Sequence, residues 1–118
     1  MKRIILLFIL SMTIYSMDTP QNEYYQKKAA EYSRVAESYQ KQADSYRRSA
    51  QSYLNEAERH ARDAAYYLRN KDFDRARTQQ RYAKEASDKA STQLRYARDA
   101  DDKAATNLQW AHDAARHK

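Results

Sequence analysis

Residues 23–64 read, when cut into sevens, EYYQKKA AEYSRVA ESYQKQA DSYRRSA QSYLNEA ERHARDA. Tyrosine stands third in every unit except the last, where His60 replaces it, and alanine stands seventh in all of them. A strict seven-residue repeat keeps one stripe of an α-helix against a partner helix. This stretch therefore predicts a long helix that packs lengthwise against a second helix.

The second half of the chain carries a longer repeat. Residues 81–94 and 95–108 read RYAKEASDKASTQL and RYARDADDKAATNL, and residues 109–118 begin a third copy, QWAHDAARHK. Each fourteen-residue copy spans two heptads and keeps alanine in one heptad position. The chain has no glycine and only one proline, a composition that suits alanine-rich helices and cannot build a sheet.

Three residues, Asn70-Lys71-Asp72, separate the two halves. The tyrosine series slips by one residue between Tyr67 and Tyr82. Asn70 suits a left-handed conformation at a helix end, and Asp72 suits the N-cap of a following helix. These signals favour a reversal of the chain over a single unbroken helix, which is the alternative because neither glycine nor proline enforces a turn here.

The predicted fold class is all-α, a long antiparallel helical hairpin in the form of an alanine/tyrosine heptad coiled coil. One helix is expected at about residues 19–69, with a start signal at Asp18-Thr19-Pro20. The turn is expected at about residues 70–72 and the second helix at about residues 73–117. Dimerisation of the hairpin to a four-helix bundle is left open.

Reversal at this turn predicts a specific register. Each large ring of the first helix meets an alanine of the second, as close packing of two long helices requires. The predicted interaction seam pairs Tyr32 with Ala111, Tyr39 with Ala104, Tyr46 with Ala97, Tyr53 with Ala90, His60 with Ala83 and Tyr67 with Ala76. The pattern resembles an alanine zipper in the broad sense.

A second row of pairs is less uniform. Ala29, Ala43 and Ala57 are expected to meet Ala114, Ala100 and Ala86, whereas Ala36, Ala50 and Ala64 are expected to meet Asn107, Gln93 and Gln79. Amides at alternate layers weaken a helix interface but can fix its register.

An aromatic ridge, formed by Tyr82, Tyr96 and Trp110, lies one residue before seam alanines on the second helix, with Lys89 and Lys103 between its members. The predicted register gives this ridge no partner on the first helix. The ridge either shields the edge of the hairpin or is the docking surface for another helix, since tyrosine and tryptophan are favoured interface anchors.

The first 16 residues have the pattern of a signal peptide, with Lys2 and Arg3 before the apolar run Ile4–Leu10. Residues 17–118 are then expected to form a single elongated coiled-coil hairpin that is secreted to the periplasm, the cell envelope or the extracellular space. An uncleaved anchor is the alternative. The absence of cysteine means that helix packing alone must stabilise the chain.

The formal net charge of +6 is spread along the chain, with 22 basic and 16 acidic residues interspersed. Nucleic-acid binders concentrate their basic residues on one face, so no nucleic-acid partner is expected. A two-helix hairpin also offers no obvious concave pocket, so the sequence predicts neither an enzyme nor a small-molecule substrate nor a cofactor.

The histidines and clustered carboxylates do not predict a metal site. His112 and His117 lie five residues apart rather than four, and His60 is remote from both. Asp101 and Asp102 point about 100° apart on a helix, and Asp99 joins them on a surface best interpreted as solvated.

The function favoured by these observations is that of a secreted or envelope coiled-coil protein, structural or interacting, that acts by helix–helix association with itself or another helical protein. A protein that binds membrane surfaces or lipid is the first alternative, suggested by the positive charge; its weakness is an apolar face poor in leucine and phenylalanine. Oxidative cross-linking of the 11 tyrosines in a matrix is a further hypothesis.

Two segments, AKEASDKAST at residues 83–92 and ARDADDKAAT at 97–106, resemble the repeats of late-embryogenesis-abundant proteins. The resemblance implies a stress protectant that is disordered in dilute solution and helical on drying. The seven-residue period and the aromatic seam differ from the eleven-residue pattern of that family.

Overall fold

A computed structural model describes residues 20–117 as two α-helices joined by a short turn. Helix α1 spans Pro20–Arg69 and helix α2 spans Phe73–Arg116. The two helices pack as an antiparallel hairpin, which confirms the predicted all-α fold class and excludes the unbroken helix. The signal-peptide prediction for residues 1–16 and the start signal at Asp18 and Thr19 lie outside the described residues.

Both helices follow from local composition. Alanine, glutamate, glutamine, lysine and arginine have high helix propensity, and no glycine interrupts them. Exposed ion pairs one turn apart add about 0.3 to 0.5 kcal/mol each. Examples join Arg62 to Glu58 at 3.0 Å and Lys84 to Asp88 at 3.4 Å.

The turn is a Schellman motif followed directly by an N-cap. The Asp72 N–H donates to the Tyr67 carbonyl at 2.9 Å, and the Lys71 N–H donates to the Leu68 carbonyl at 3.1 Å. Asp72 then caps α2, because its Oδ1 accepts the Arg75 N–H at 3.2 Å. The turn thus satisfies backbone groups of both helix ends within three residues.

The left-handed residue of this turn is Lys71, with φ of 60°. The assignment of that conformation to Asn70 was wrong. In a Schellman motif the left-handed residue follows the helix cap, and Asn70 is the cap itself, with its N–H bonded to the Tyr66 carbonyl. A lysine at this position bears a steric cost that glycine would avoid.

Two compact segments share the helices. The terminal segment combines α1 up to Gln42 with α2 from Asp99 onward, and the turn-proximal segment is Ala43–Arg98. Alanine supplies the core of each. The buried apolar residues of the terminal segment are Ala29, Ala36, Ala100, Ala104, Ala111 and Ala115, and those of the turn-proximal segment are Ala43, Ala50, Ala64, Ala76, Ala86, Ala90 and Ala97.

Within residues 20–117, no large side chain is fully buried. The buried polar side chain of Asn107 turns back on its own helix, where its Nδ2 donates to the Lys103 carbonyl at 2.8 Å. The hairpin core is therefore thin, and larger apolar groups lie at its borders.

Candidate interaction surface

The seven rings at the tyrosine position of α1 form what we call the ladder. All of them are half-buried. Each contacts a side chain of α2 that lies one residue before the alanine assigned to it, except the first ring, which contacts His117. The ladder consists of Tyr25, Tyr32, Tyr39, Tyr46, Tyr53, His60 and Tyr67.

Three rungs of the ladder lie in the terminal segment. Tyr25 stacks on His117 with ring centroids 3.8 Å apart, and Tyr24 meets Tyr25 edge-on at 5.2 Å. The next rungs place Trp110 at 5.5 Å from Tyr32 and the Lys103 Nζ at 5.7 Å from the Tyr39 ring.

Four rungs lie in the turn-proximal segment. Tyr46 packs on Tyr96 with centroids 5.5 Å apart, and His60 packs on Tyr82 at 5.4 Å. Between them the Lys89 Nζ lies 5.8 Å from the Tyr53 ring, and the Arg75 guanidinium lies 5.8 Å from the Tyr67 ring. Aromatic and cationic partners alternate within the segment.

This alternation explains why the two helices have repeats of different length. On α1 every heptad offers a ring, so its period is seven. On α2 the partner position carries an aromatic residue and a basic residue in turn, so its period is fourteen. Ring pairs contribute about 0.5 to 1.5 kcal/mol beyond burial, and cation–π contacts about 0.5 to 1 kcal/mol at exposed sites.

His60, the exception in the tyrosine series, has its own polar partners. Its Nδ1 lies 2.7 Å from the Gln79 Oε1, which accepts a hydrogen bond when Nδ1 carries the proton. Its Nε2 lies 3.9 Å from the Glu56 carboxylate. The imidazole thus keeps the ladder contact with Tyr82 while tying α1 to α2 through a side-chain hydrogen bond.

The aromatic ridge is not without a partner, contrary to the sequence analysis. Each of its rings contacts a ladder ring: Trp110 contacts Tyr32, Tyr96 contacts Tyr46, and Tyr82 contacts His60. The ridge keeps an outer surface: Tyr82 is 39% exposed, Tyr96 42% and Trp110 50%. Of the seam alanines on α2, all are buried except Ala83, which is half-buried.

A second apolar surface, not singled out from the sequence, lies in the turn-proximal segment. Leu54 and Leu68 follow the buried Ala50 and Ala64 by four residues, and Phe73 and Leu94 precede the buried Ala76 and Ala97 by three. These spacings put all four beyond the alanine stripes, on the side of the hairpin opposite the ladder. Their exposed fractions are 41%, 43%, 59% and 41%, in that order.

We call this surface the leucine face. A spacing signal for it exists in the sequence, because Leu54, Ala61 and Leu68 share one heptad position and Phe73 and Leu94 share another. Polar residues between the two α2 members hide it from a pattern search that starts at the tyrosines.

Residues 20–117 also bear on two other kinds of site, a metal centre and a membrane span. Over that range, no group of three or more histidine, cysteine, aspartate or glutamate side chains could hold a metal ion. Neither described helix combines the length and apolarity needed to cross a membrane.

The chain matches no protein-family model, no curated protein and no solved structure.

Proposed function

We propose that this chain is a secreted or envelope protein that acts by helix–helix association, as a structural element or as the binding partner of another helical protein. The supporting observation is the distribution of apolar size. Alanine fills the core, whereas leucine, phenylalanine and the outer edges of the aromatic rings remain in contact with water. Association is the means by which such a hairpin removes its larger apolar groups from water.

Burial energies set the scale of this association. Full burial of a leucine or phenylalanine side chain contributes about 1.5 to 3 kcal/mol, so covering the exposed half of one contributes about 1 kcal/mol. Four such side chains from each of two hairpins give about 8 kcal/mol, which is comparable to the cost of association, about 4 to 15 kcal/mol. Association is therefore expected to depend on concentration.

Export is the second part of the proposal, and the pattern of residues 1–16 supports it. The test is to express the full chain in a host with an export pathway and to determine the mass of the product from each compartment. A product that starts near Met17 in the exported fraction is expected. A full-length product retained in the cytosol contradicts this part.

The association itself is tested by sedimentation equilibrium and circular dichroism on the purified product over a wide concentration range. We expect a helical spectrum at every concentration and a molecular mass that rises with concentration. A helical monomer at micromolar concentration and above contradicts self-association. A disordered spectrum in dilute buffer favours the stress-protectant class instead, and co-flotation of the monomer with anionic vesicles favours the membrane-surface class.

A further inference from the structure

We propose that the leucine face binds the leucine face of a second copy of this chain, with α1 of each copy packed on α2 of the other in a four-helix bundle. This inference rests on the proposed function and goes beyond it by naming the surface, the partner and the orientation. It also moves the docking surface from the aromatic ridge, whose rings are engaged within the hairpin, to the opposite side.

The centre of the leucine face lacks charge from Leu54 to the turn on α1 and from the turn to Leu94 on α2. It is bounded by Arg47, which stands one heptad before Leu54 in the same α1 row, level with Leu94, and pairs with Asp44 at 2.9 Å. On α1 the row is Leu54, Ala61 and Leu68, and on α2 it is Phe73, Gln80, Ser87 and Leu94. All seven are exposed. The ladder side differs, because Lys89 and Arg75 stand in its α2 row. Between Arg47 and the turn, the leucine face therefore offers an uncharged strip that another helix pair can cover without burying a charge.

The borders of the leucine face carry opposite charges on the two helices. The next row outward on α1 is acidic and polar, and the next row outward on α2 is basic and polar. The α1 row is Asp44, Gln51, Glu58 and Ala65, and the α2 row is Arg77, Lys84, Ser91 and Arg98.

The rungs of the ladder show which border residues lie at the same level. Asp44 precedes Tyr46 by two residues and Arg98 follows its rung partner Tyr96 by two, so the two lie level. Glu58 and Lys84 are related in the same way to the rung of His60 and Tyr82. Gln51 and Ser91 complete the series between them.

A two-fold axis parallel to the helices exploits this arrangement. It places α1 of one copy over α2 of the other without a shift along the axis, so that Asp44 meets Arg98, Gln51 meets Ser91 and Glu58 meets Lys84 at both borders. A two-fold axis across the helices would instead put the acidic row on its own copy and the basic row on its own copy. Border charges select orientation in this way even where each contributes little affinity.

The same pair of rows argues for a second copy over a lipid surface. An anionic bilayer attracts the row of Arg77, Lys84 and Arg98 but repels Asp44 and Glu58 beside the same apolar strip. A second copy meets both rows with the opposite charge. Glu58 and Lys84 already form exposed pairs with Arg62 and Asp88 within their helices, which leaves both accessible to a partner.

The surface is tested with single substitutions in the full chain, followed by sedimentation equilibrium of the purified product. Leu54→Gln and Leu94→Gln are each expected to raise the dimer dissociation constant at least tenfold while the monomer stays helical by circular dichroism. Val35→Gln is the matched control, because Val35 is equally exposed, at 42%, but lies on the ladder side of α1. We expect it to change the constant less than threefold.

The orientation is tested by charge reversal. Glu58→Lys and Lys84→Glu are each expected to weaken the homodimer several-fold, because each puts like charges at both borders. The double variant, and a mixture of the two single variants, are expected to restore association. Restoration cannot come from the intrahelical pairs, since the double variant leaves Arg62 beside a lysine and Asp88 beside a glutamate.

Several outcomes would overturn the inference. If the wild type associates but Leu54→Gln and Leu94→Gln leave its dissociation constant unchanged, the leucine face is not the interface, and the proposed function still stands. Single charge reversals that leave the constant unchanged remove the orientation, since stacking of α1 on α1 predicts that result. A monomeric wild type contradicts self-association altogether, and loss of vesicle binding by the leucine variants of such a monomer assigns the face to lipid.

Discussion

The two sides of the turn-proximal segment differ in whether their large side chains contact the other helix. On the ladder side, Tyr46, Tyr53 and His60 reach across to α2 and find a ring or a cation there. On the leucine face, Leu54 and Leu94 stop at the border of the alanine core and remain about two-fifths exposed. The tyrosines are thus engaged within the fold, and the few leucines are the groups that the proposed association would cover.

The test with the largest expected effect replaces one side chain on each side and compares the losses in the free energy of unfolding. Tyr46→Ala is expected to lower the free energy of unfolding by about 2 kcal/mol, since it removes a half-buried ring and its contact with Tyr96. Leu54→Ala is expected to cost less than half of that in the monomer. Urea unfolding below the dissociation constant measures both, and equal losses would abolish the contrast.

A variant in the turn should change the stability of the whole hairpin and leave the difference between its two sides unchanged. Lys71→Gly is expected to raise the free energy of unfolding by about 1 kcal/mol, because glycine adopts a φ of 60° without the Cβ clash of lysine. Urea unfolding gives the stability and sedimentation gives the association. Lys71→Ala, which keeps the Cβ, is the control and should not stabilise. A change in dimer affinity with Lys71→Gly would show that the turn shapes the leucine face.

The test with the smallest expected effect compares a cationic rung of the ladder with a surface ion pair. Lys89→Ala is expected to lower the free energy of unfolding by about 0.5 to 1 kcal/mol, the usual contribution of an exposed cation–π contact with a ring such as Tyr53. Lys84→Ala, measured like Lys89→Ala below the dimer dissociation constant, is a matched control, because Lys84 is an exposed lysine of α2 that pairs with Asp88 of its own helix at 3.4 Å. Equal losses in thermal or urea unfolding would mean that the cationic rungs contribute no more than surface ion pairs.

Repetition made the fold predictable. The tyrosine and alanine stripes indicate two long helices in contact, and the residues between the halves carry recognisable cap and turn chemistry, with Asp72 capping α2 as its position suggests. Which residue of the turn is left-handed could not be read from propensity alone. Asn70 is the better left-handed residue, but the hydrogen-bonding of the last turn of α1 places Lys71 there.

The interaction surface was harder to predict, because the contacts depend on the size and direction of the side chains. Pairing by heptad position treats each side chain as a point, so it matched Tyr46 to Ala97. The ring of Tyr46 instead contacts Tyr96, the residue before that alanine, whose side chain points about 100° away from it around the helix. The leucine face was not predicted from the sequence, because only four large residues define it. Their shared side of the hairpin is recognised only once the buried alanines are known.

The unequal periods of the two helices have a consequence for the history of such a chain. A duplication that adds two heptads to α1 and one fourteen-residue copy to α2 adds one aromatic and one cationic rung and leaves the turn, the existing pairs and the border charges in place. An addition of one heptad to each helix near the open end also preserves the pairing but changes whether an aromatic or a cationic rung comes last. Length is therefore a variable that this architecture can alter by recombination between repeats without inventing a new contact.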